Sequence, residues 1–163
     1  MSSTVLSVDH APLPKSILHV EGDPTEWGLS ETDQARPPWI TGEDPVELPV
    51  VSPLVGTLLL APKLAGSFLL YPKPPITGGW VPCVRLPSAY LYLPSTVGVP
   101  ADSPGYMLAP DTDLGQLRRD IKTVMGHDQF LTVDVSIGGV TGVVVLNGTK
   151  LPFVVLAEFR ALR

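Results

Sequence analysis

The stretch VVVLNGTKLPFVVL, residues 143–156, is the part of the sequence that most directly predicts a fold. Its Asn147-Gly148 pair separates two apolar runs, and Asn-Gly is the dipeptide most typical of a two-residue β-hairpin turn. With Thr149 the same residues also form an acceptor sequence for N-linked glycosylation. Met1–His10 lacks the features of a signal peptide, so we interpret the motif as a turn.

A second pair, Gly138-Gly139, predicts another two-residue turn, which would place Leu131 opposite Leu146. The two registers, taken independently, bring one set of apolar side chains to a single face of the sheet. This set is Leu131, Val133, Val135, Val140, Val144, Leu146, Leu151, Phe153 and Val155. The sequence therefore predicts a three-stranded antiparallel meander, whose last strand begins at an edge or a bulge because of Pro152.

Residues 111–125 carry the helical pattern of the chain. Leu114, Leu117, Ile121 and Val124 recur at helical spacing, which predicts one apolar stripe. Asp111 is expected to cap the first turn, and Gly126 to end the helix. Such a helix is expected to pack on a sheet.

Further strands are predicted at 54–61, 67–71, 80–85 and 89–93, with Pro and Gly between them. The apolar run 50–71 is long enough to cross a membrane, but Pro53, Pro62 and Lys63 interrupt it, so buried strands are predicted instead. The fold expected for residues 47–163 is a single, mainly β (α+β) domain. It would be a β-sandwich or half-open barrel, with one amphipathic helix packed on it and the meander at its end.

The first 46 residues are predicted to form an acidic, Pro-rich N-terminal arm that is extended or disordered alone. Residues 1–49 hold nine carboxylates against two basic side chains, and residues 1–46 sustain neither strand nor helix periodicity. Trp27, Trp39 and Ile40 are the predicted partner-binding residues, because tryptophans in a polar segment are typical anchors.

The charge of the chain argues against two classes of partner. Its net charge is −5, and its bases form no concentrated patch, so neither nucleic acid nor a membrane is expected to bind. The single cysteine, Cys83, rules out an intramolecular disulfide and a zinc cluster. We expect the protein in the cytoplasm or within an assembled particle, and not secreted by a signal peptide.

We predict no catalytic, cofactor-binding or metal-binding residues, because the sequence contains no recognisable motif for these functions. His127-Asp128 is interpreted as a polar loop, and Cys83 as a small buried side chain. The chain is therefore not expected to be an enzyme.

The sequence is compatible with three functions. The first is a structural or interaction subunit of a larger assembly, such as a virus or phage particle, docking through its arm and strand edges as an oligomer. The second is a small-molecule-binding β-barrel or enzyme, with an aromatic pocket formed by Trp80, Tyr90, Tyr92 and Tyr106. The third is a regulatory adaptor whose acidic arm covers a basic surface of its partner.

Overall fold

The computed structural model describes residues 8–31, 36–73, 79–94 and 104–162. These residues form one antiparallel sheet of eleven strands and one α-helix, which confirms a mainly β fold with a single helix. The strands are β1 (Val8–Pro12), β2 (Ser16–Val20), β3 (Trp27–Leu29), β4 (Val46–Ser52), β5 (Leu54–Leu60), β6 (Phe68–Pro72), β7 (Trp80–Tyr92), β8 (Tyr106–Leu108), β9 (Phe130–Ile137), β10 (Val140–Asn147) and β11 (Phe153–Ala161). The helix α1 is Leu114–Val124, and short 3₁₀ helices lie at Pro38–Thr41 and Gly148–Lys150.

The strands follow one path, in the order β10-β9-β8-β7-β11-β5-β4-β3-β2-β6. β1 lies off this path and pairs with the first half of β7. The sheet is open, so β10 and β6 are its two ends in the described part of the chain. Two strands predicted separately at 80–85 and 89–93 are continuous in β7.

The sheet curls strongly on itself. β11, β5 and β4 lie between β7 and β3, so a flat sheet would separate β7 from β3 by four spacings, or roughly 19 Å. The ring centroids of Trp27 on β3 and Tyr92 on β7 are nevertheless only 5.1 Å apart. The sheet is therefore a half-open barrel, whose interior core is formed mainly by Leu18, Trp27, Leu29, Leu48, Val50, Leu58, Leu60, Phe153 and Val155.

The helix covers the other face of the sheet. Leu117, Ile121 and Val124 of the predicted stripe are buried, and Leu117 and Ile121 pack in a second core with β-strand residues such as Leu59, Leu91, Val133 and Leu156. The helix begins later than predicted, because Asp113 and not Asp111 is its N-cap. The Asp113 carboxylate accepts a hydrogen bond of 3.1 Å from the backbone N–H of Gln116.

The hairpin predicted at Gly138-Gly139 is confirmed. β9 and β10 pair in the predicted register, with Leu131 opposite Leu146. The two glycines have φ values of 58° and 83°. Both values are in the left-handed region that a type I′ turn requires, which explains the Gly-Gly pair.

The predicted three-stranded meander is wrong. β11 does not pair with β10 but lies between β5 and β7, with Phe153 opposite Leu60. Asn147 has a φ of −96°, and a 3₁₀ helix follows it instead of a two-residue turn. Phe153 and Val155 consequently lie in the barrel interior, whereas Val133 and Leu146 lie under the helix.

The first part of the chain belongs to the same sheet as the rest. Residues 8–31 contribute β1, β2 and β3, and Ser16–Val20 pairs with both β3 and β6. How residues 1–46 behave alone, and the division of the chain at residue 46, stay predictions. The apolar run 50–71 forms parts of β4, β5 and β6, and no helix among the described residues has the length and apolar character needed to cross a membrane.

Candidate functional site

Trp27, the first predicted partner-binding residue, lies inside this chain's own barrel. Its side chain is 0% exposed, and its ring makes edge contacts with Tyr92 and Phe153 at centroid distances of 5.1 and 6.2 Å. Its Nε1 donates a hydrogen bond of 2.9 Å to Oδ2 of Asp23. In this fold Trp27 therefore offers no surface to another protein.

Asp23 is the centre of a partly buried hydrogen-bond network that we call the polar clasp, formed by Asp23, Thr25, Trp27 and Tyr92. Besides the Trp27 bond, Oδ1 of Asp23 accepts bonds from the Tyr92 hydroxyl (3.0 Å) and the backbone N–H of Thr25 (3.2 Å). These bonds offset the cost of removing a carboxylate from water. Because Asp23 lies between β2 and β3, the clasp ties the first part of the chain to β7 across the barrel.

The clasp predicts a specific alkaline sensitivity. Burial raises the pKa of the Tyr92 phenol above its ordinary value; the hydrogen bond with Thr25 opposes this rise in pKa, and the Asp23 carboxylate adds to it. A raised pKa in the folded state stabilises the fold at pH values below about 10, and this contribution is lost as pH rises through the folded-state pKa. At pH 7 the free energy of unfolding of Tyr92→Phe should therefore be about 1–2 kcal/mol lower than that of wild type. Between pH 9 and 11 it should fall by less than that of wild type, because the variant lacks the phenol that titrates.

Urea unfolding at a series of pH values measures this effect. Tyr71→Phe is the matched control, since Tyr71 is an exposed tyrosine on β6. Equal losses of unfolding free energy in wild type and Tyr92→Phe between pH 9 and 11 would contradict the prediction.

Trp39 and Ile40, the other predicted partner-binding residues, lie in the first 3₁₀ helix. Both are half-buried against the barrel core. The Trp39 ring stacks on Phe68 with a centroid distance of 6.3 Å and an interplanar angle of 20°. They lie at the rim of the core, and a role in partner binding stays a prediction for them.

The four aromatic residues of the predicted pocket do not come together. Tyr92 contacts the barrel core, whereas Tyr106 lies in the core under the helix, opposite Leu91. Trp80 is 64% exposed at the start of β7. Tyr90 shares a face of β7 with Tyr92, because residues two apart in a strand point the same way.

Clefts occur elsewhere on the described surface. One of about 600 Å³ lies between the β1–β2 connection and the end of β11, with walls that are mainly aliphatic side chains and prolines. Two smaller clefts have volumes of about 330 and 360 Å³. The four predicted aromatic residues line none of these three.

The candidate reactive groups are not assembled into a site. Cys83 is 2% exposed, and burial, together with the nearby Asp9 carboxylate, raises the pKa of its thiol. A raised pKa disfavours the reactive thiolate. His127 is exposed just after the helix. Within the ranges that the structure describes, no three His, Cys, Asp or Glu side chains are close enough to hold a metal ion.

The feature that the sequence prediction missed is the exposed outer face of the β9–β10 hairpin. The predicted meander places β10 between two strands, but the structure places it at the end of the sheet. Val143 and Val145 are consequently 57% and 58% exposed, and Phe130 on β9 is 66% exposed on the same face. In sequence, a strand with β-branched residues on both faces looks the same whether both faces are buried or one of them is exposed.

The outward-pointing backbone groups of β10 complete this surface. A two-residue turn makes Ile137 and Val140 a hydrogen-bonded pair, so the N–H and C=O groups of Thr141, Val143 and Val145 point away from β9. No strand of the described chain pairs with that side. We call these backbone groups, together with Phe130, Val143 and Val145, the edge patch.

The edge patch lacks the devices that usually protect a sheet edge. Val140–Asn147 contains no proline, lysine or other charged residue, and its exposed side chains are mostly valines. Natural proteins normally protect such edges with charges, prolines or bulges, because an open edge is a template for another strand.

The chain matches no protein-family model, no curated protein and no solved structure.

Proposed function

We propose that this chain is a non-catalytic structural or interaction subunit of an assembly, and that it contacts another chain of that assembly through the edge patch. The observation that carries the proposal is the outer edge of β10, which no strand of the described residues covers and whose outward backbone groups lie beside exposed valines. A component of a virus or phage particle is one form that such an assembly takes. In this proposal the strand edge, and not Trp27, makes the contact with other chains.

The chemistry of the edge patch favours strand addition as the mode of contact. An added strand would bond to the backbone of Thr141, Val143 and Val145, while its side chains cover the exposed valines. In this mode the backbone bonds supply affinity and the alternate side chains supply specificity. Phe130 extends the apolar surface onto β9, on the side of β10 opposite to the added strand.

Photo-crosslinking in the cells that naturally make the protein tests this proposal. A benzophenone amino acid at position 143 should crosslink to another polypeptide, identified by mass spectrometry, whether that polypeptide is a second copy or a different protein. The matched position is Thr123, which is exposed on the helix. A crosslinking yield at position 143 that is no higher than the yield at position 123 would refute an assembly contact at the edge patch.

A charge in the edge patch gives an independent check. Val145→Lys should reduce the crosslinking yield from position 143 about tenfold, since a lysine ammonium would have to lose water at the contact. The fold should be nearly unaffected, because Val145 is 58% exposed and exposed substitutions usually change the unfolding free energy by less than about 0.5 kcal/mol. Leu69→Lys, at a side chain 57% exposed on β6, is the matched control and should leave the yield unchanged.

A further inference from the structure

We infer that the strand added to the edge patch is β10 of a second copy, paired antiparallel about a twofold axis at Val143. This inference rests on the proposed function and names its partner. It joins two half-open barrels into one continuous sheet. Four properties of β10 lead to it: its backbone, its side chains, its charge and its place in the fold.

The outward backbone groups of β10 are self-complementary. Thr141, Val143 and Val145 alternate with residues that bond to β9. If Val143 faces Val143 of the second copy, then Thr141 faces Val145 of that copy, and Val145 faces Thr141 of that copy. All three residues can then exchange both backbone bonds with their counterparts.

The side chains select this register. When the axis lies at Val143, Val140, which is 69% exposed, lies opposite Leu146 of the second copy. When the axis lies at Val144 instead, Val140 extends past the end of the partner strand and stays exposed. The Val144 register would also pair Thr141 with Asn147, whose side-chain oxygen already accepts bonds from the N–H and hydroxyl of Thr149.

The charge distribution allows an acidic chain to pair with itself here. The protein has a net charge of −5, yet β10 contains no ionisable side chain. The nearest carboxylate across the hairpin is Asp134 on β9, opposite Val143. Two copies of Asp134 would be three strand spacings apart, roughly 14 Å, which exceeds the screening length of about 8 Å at physiological salt.

The position of β10 favours a closed pair over an open chain of copies. Head-to-tail pairing of β10 with β6 would propagate indefinitely, whereas β10 with β10 closes after two copies. β6 is shorter, Phe68–Pro72, and ends in a proline that has no N–H to donate. Only one strand of eight residues from each copy makes the contact. We therefore expect a weak dimer, with a dissociation constant on the order of tens to hundreds of micromolar.

Single cysteines in β10 test the register in the full chain. Facing residues of a hydrogen-bonded pair have Cα atoms about 5.5 Å apart, within the range of a disulfide. Under mild oxidation, Val143→Cys should therefore form a covalent dimer. Thr141→Cys and Val145→Cys should not do so alone, since each would be about 14 Å from its own copy, but a mixture of the two should. Cys83 is buried, so the wild-type chain is the background control.

Two results would overturn the assigned pairing. One is a yield of Val143→Cys dimer no greater than that of wild type. The other is a disulfide between Val143→Cys and Val145→Cys chains, which requires the axis at Val144.

Sedimentation equilibrium over a range of concentrations separates this inference from the proposed function. Wild type and Leu69→Lys should show the same monomer–dimer equilibrium, and Val143→Lys should weaken it at least tenfold. A monomeric wild type at about 500 µM, with photo-crosslinks from position 143 to a different protein, would refute the second copy and leave the proposed function standing. A monomeric wild type with no such crosslinks would refute both. Loss of the dimer in Leu69→Lys but not in Val143→Lys would place the contact at β6 and overturn the inference.

Discussion

Replacing Trp27 with alanine is expected to lower the free energy of unfolding by about 3–5 kcal/mol, the range for removing a large aromatic from a core. The ring is 0% exposed and contacts Tyr92 and Phe153 at the centre of the barrel. The substitution also removes a donor from the buried carboxylate of Asp23. Both losses weaken contacts that hold the sheet in its curled shape, because Trp27 and Tyr92 come from strands that are distant along the sheet path.

Urea or thermal unfolding followed by circular dichroism measures this effect, with Trp39→Ala as the matched control. Trp39 is half-buried at the rim of the same core, so its removal should cost roughly 1–2 kcal/mol. Similar losses for the two variants would contradict the central position of Trp27. If Trp27→Ala kept wild-type stability but lost association with other chains, the sequence-based prediction that Trp27 anchors a partner would be supported instead.

Replacing Gly148 with alanine is expected to destabilise the fold by about 3 kcal/mol, at the upper end for overpacking. A Cβ at position 148 would collide with the backbone carbonyl oxygens of Val124 and His127. The backbone N–H of Gly126 donates a bond of 2.8 Å to the carbonyl of Gly148, and the N–H of Gly148 donates one of 2.9 Å to Gln129. Because these obstacles are backbone atoms, no side-chain rotation relieves the collision.

Chemical denaturation of Gly148→Ala beside Gly115→Ala checks this prediction. Gly115 lies in the helix, where an added Cβ meets only ordinary contacts at 3.5 Å or more, so its replacement should stabilise the protein by up to about 1 kcal/mol. A stability loss below about 1 kcal/mol in Gly148→Ala would show that the helix end can move away from residue 148.

Gly148 also explains why the meander prediction is wrong. Asn-Gly usually means a tight turn, because glycine accepts a positive φ. Here no positive φ occurs at Gly148, and the glycine is required because the end of the helix packs against its Cα. The residue type is the same for both causes, so a single sequence does not distinguish them.

The features predicted correctly depend on residues close together in the chain. The Gly138-Gly139 hairpin has its register set by its own turn, and the stripe of the helix is set by the pitch of its backbone. The hairpin and the helix can therefore be predicted without knowing which strands they pack against.

The sequence alone determined that this protein is mainly β, with one amphipathic helix and one hairpin at Gly138-Gly139, because short-range sterics and periodicity decide such elements. The tertiary structure decided that β11 inserts between β5 and β7, that Trp27 lies inside the barrel, and that β10 is left at the edge. Those outcomes depend on pairings between strands distant in sequence, where many apolar strands compete for the same neighbours. The valines of β10 form the same sequence pattern whether or not another strand of the chain covers them, so only the tertiary structure shows that they are exposed.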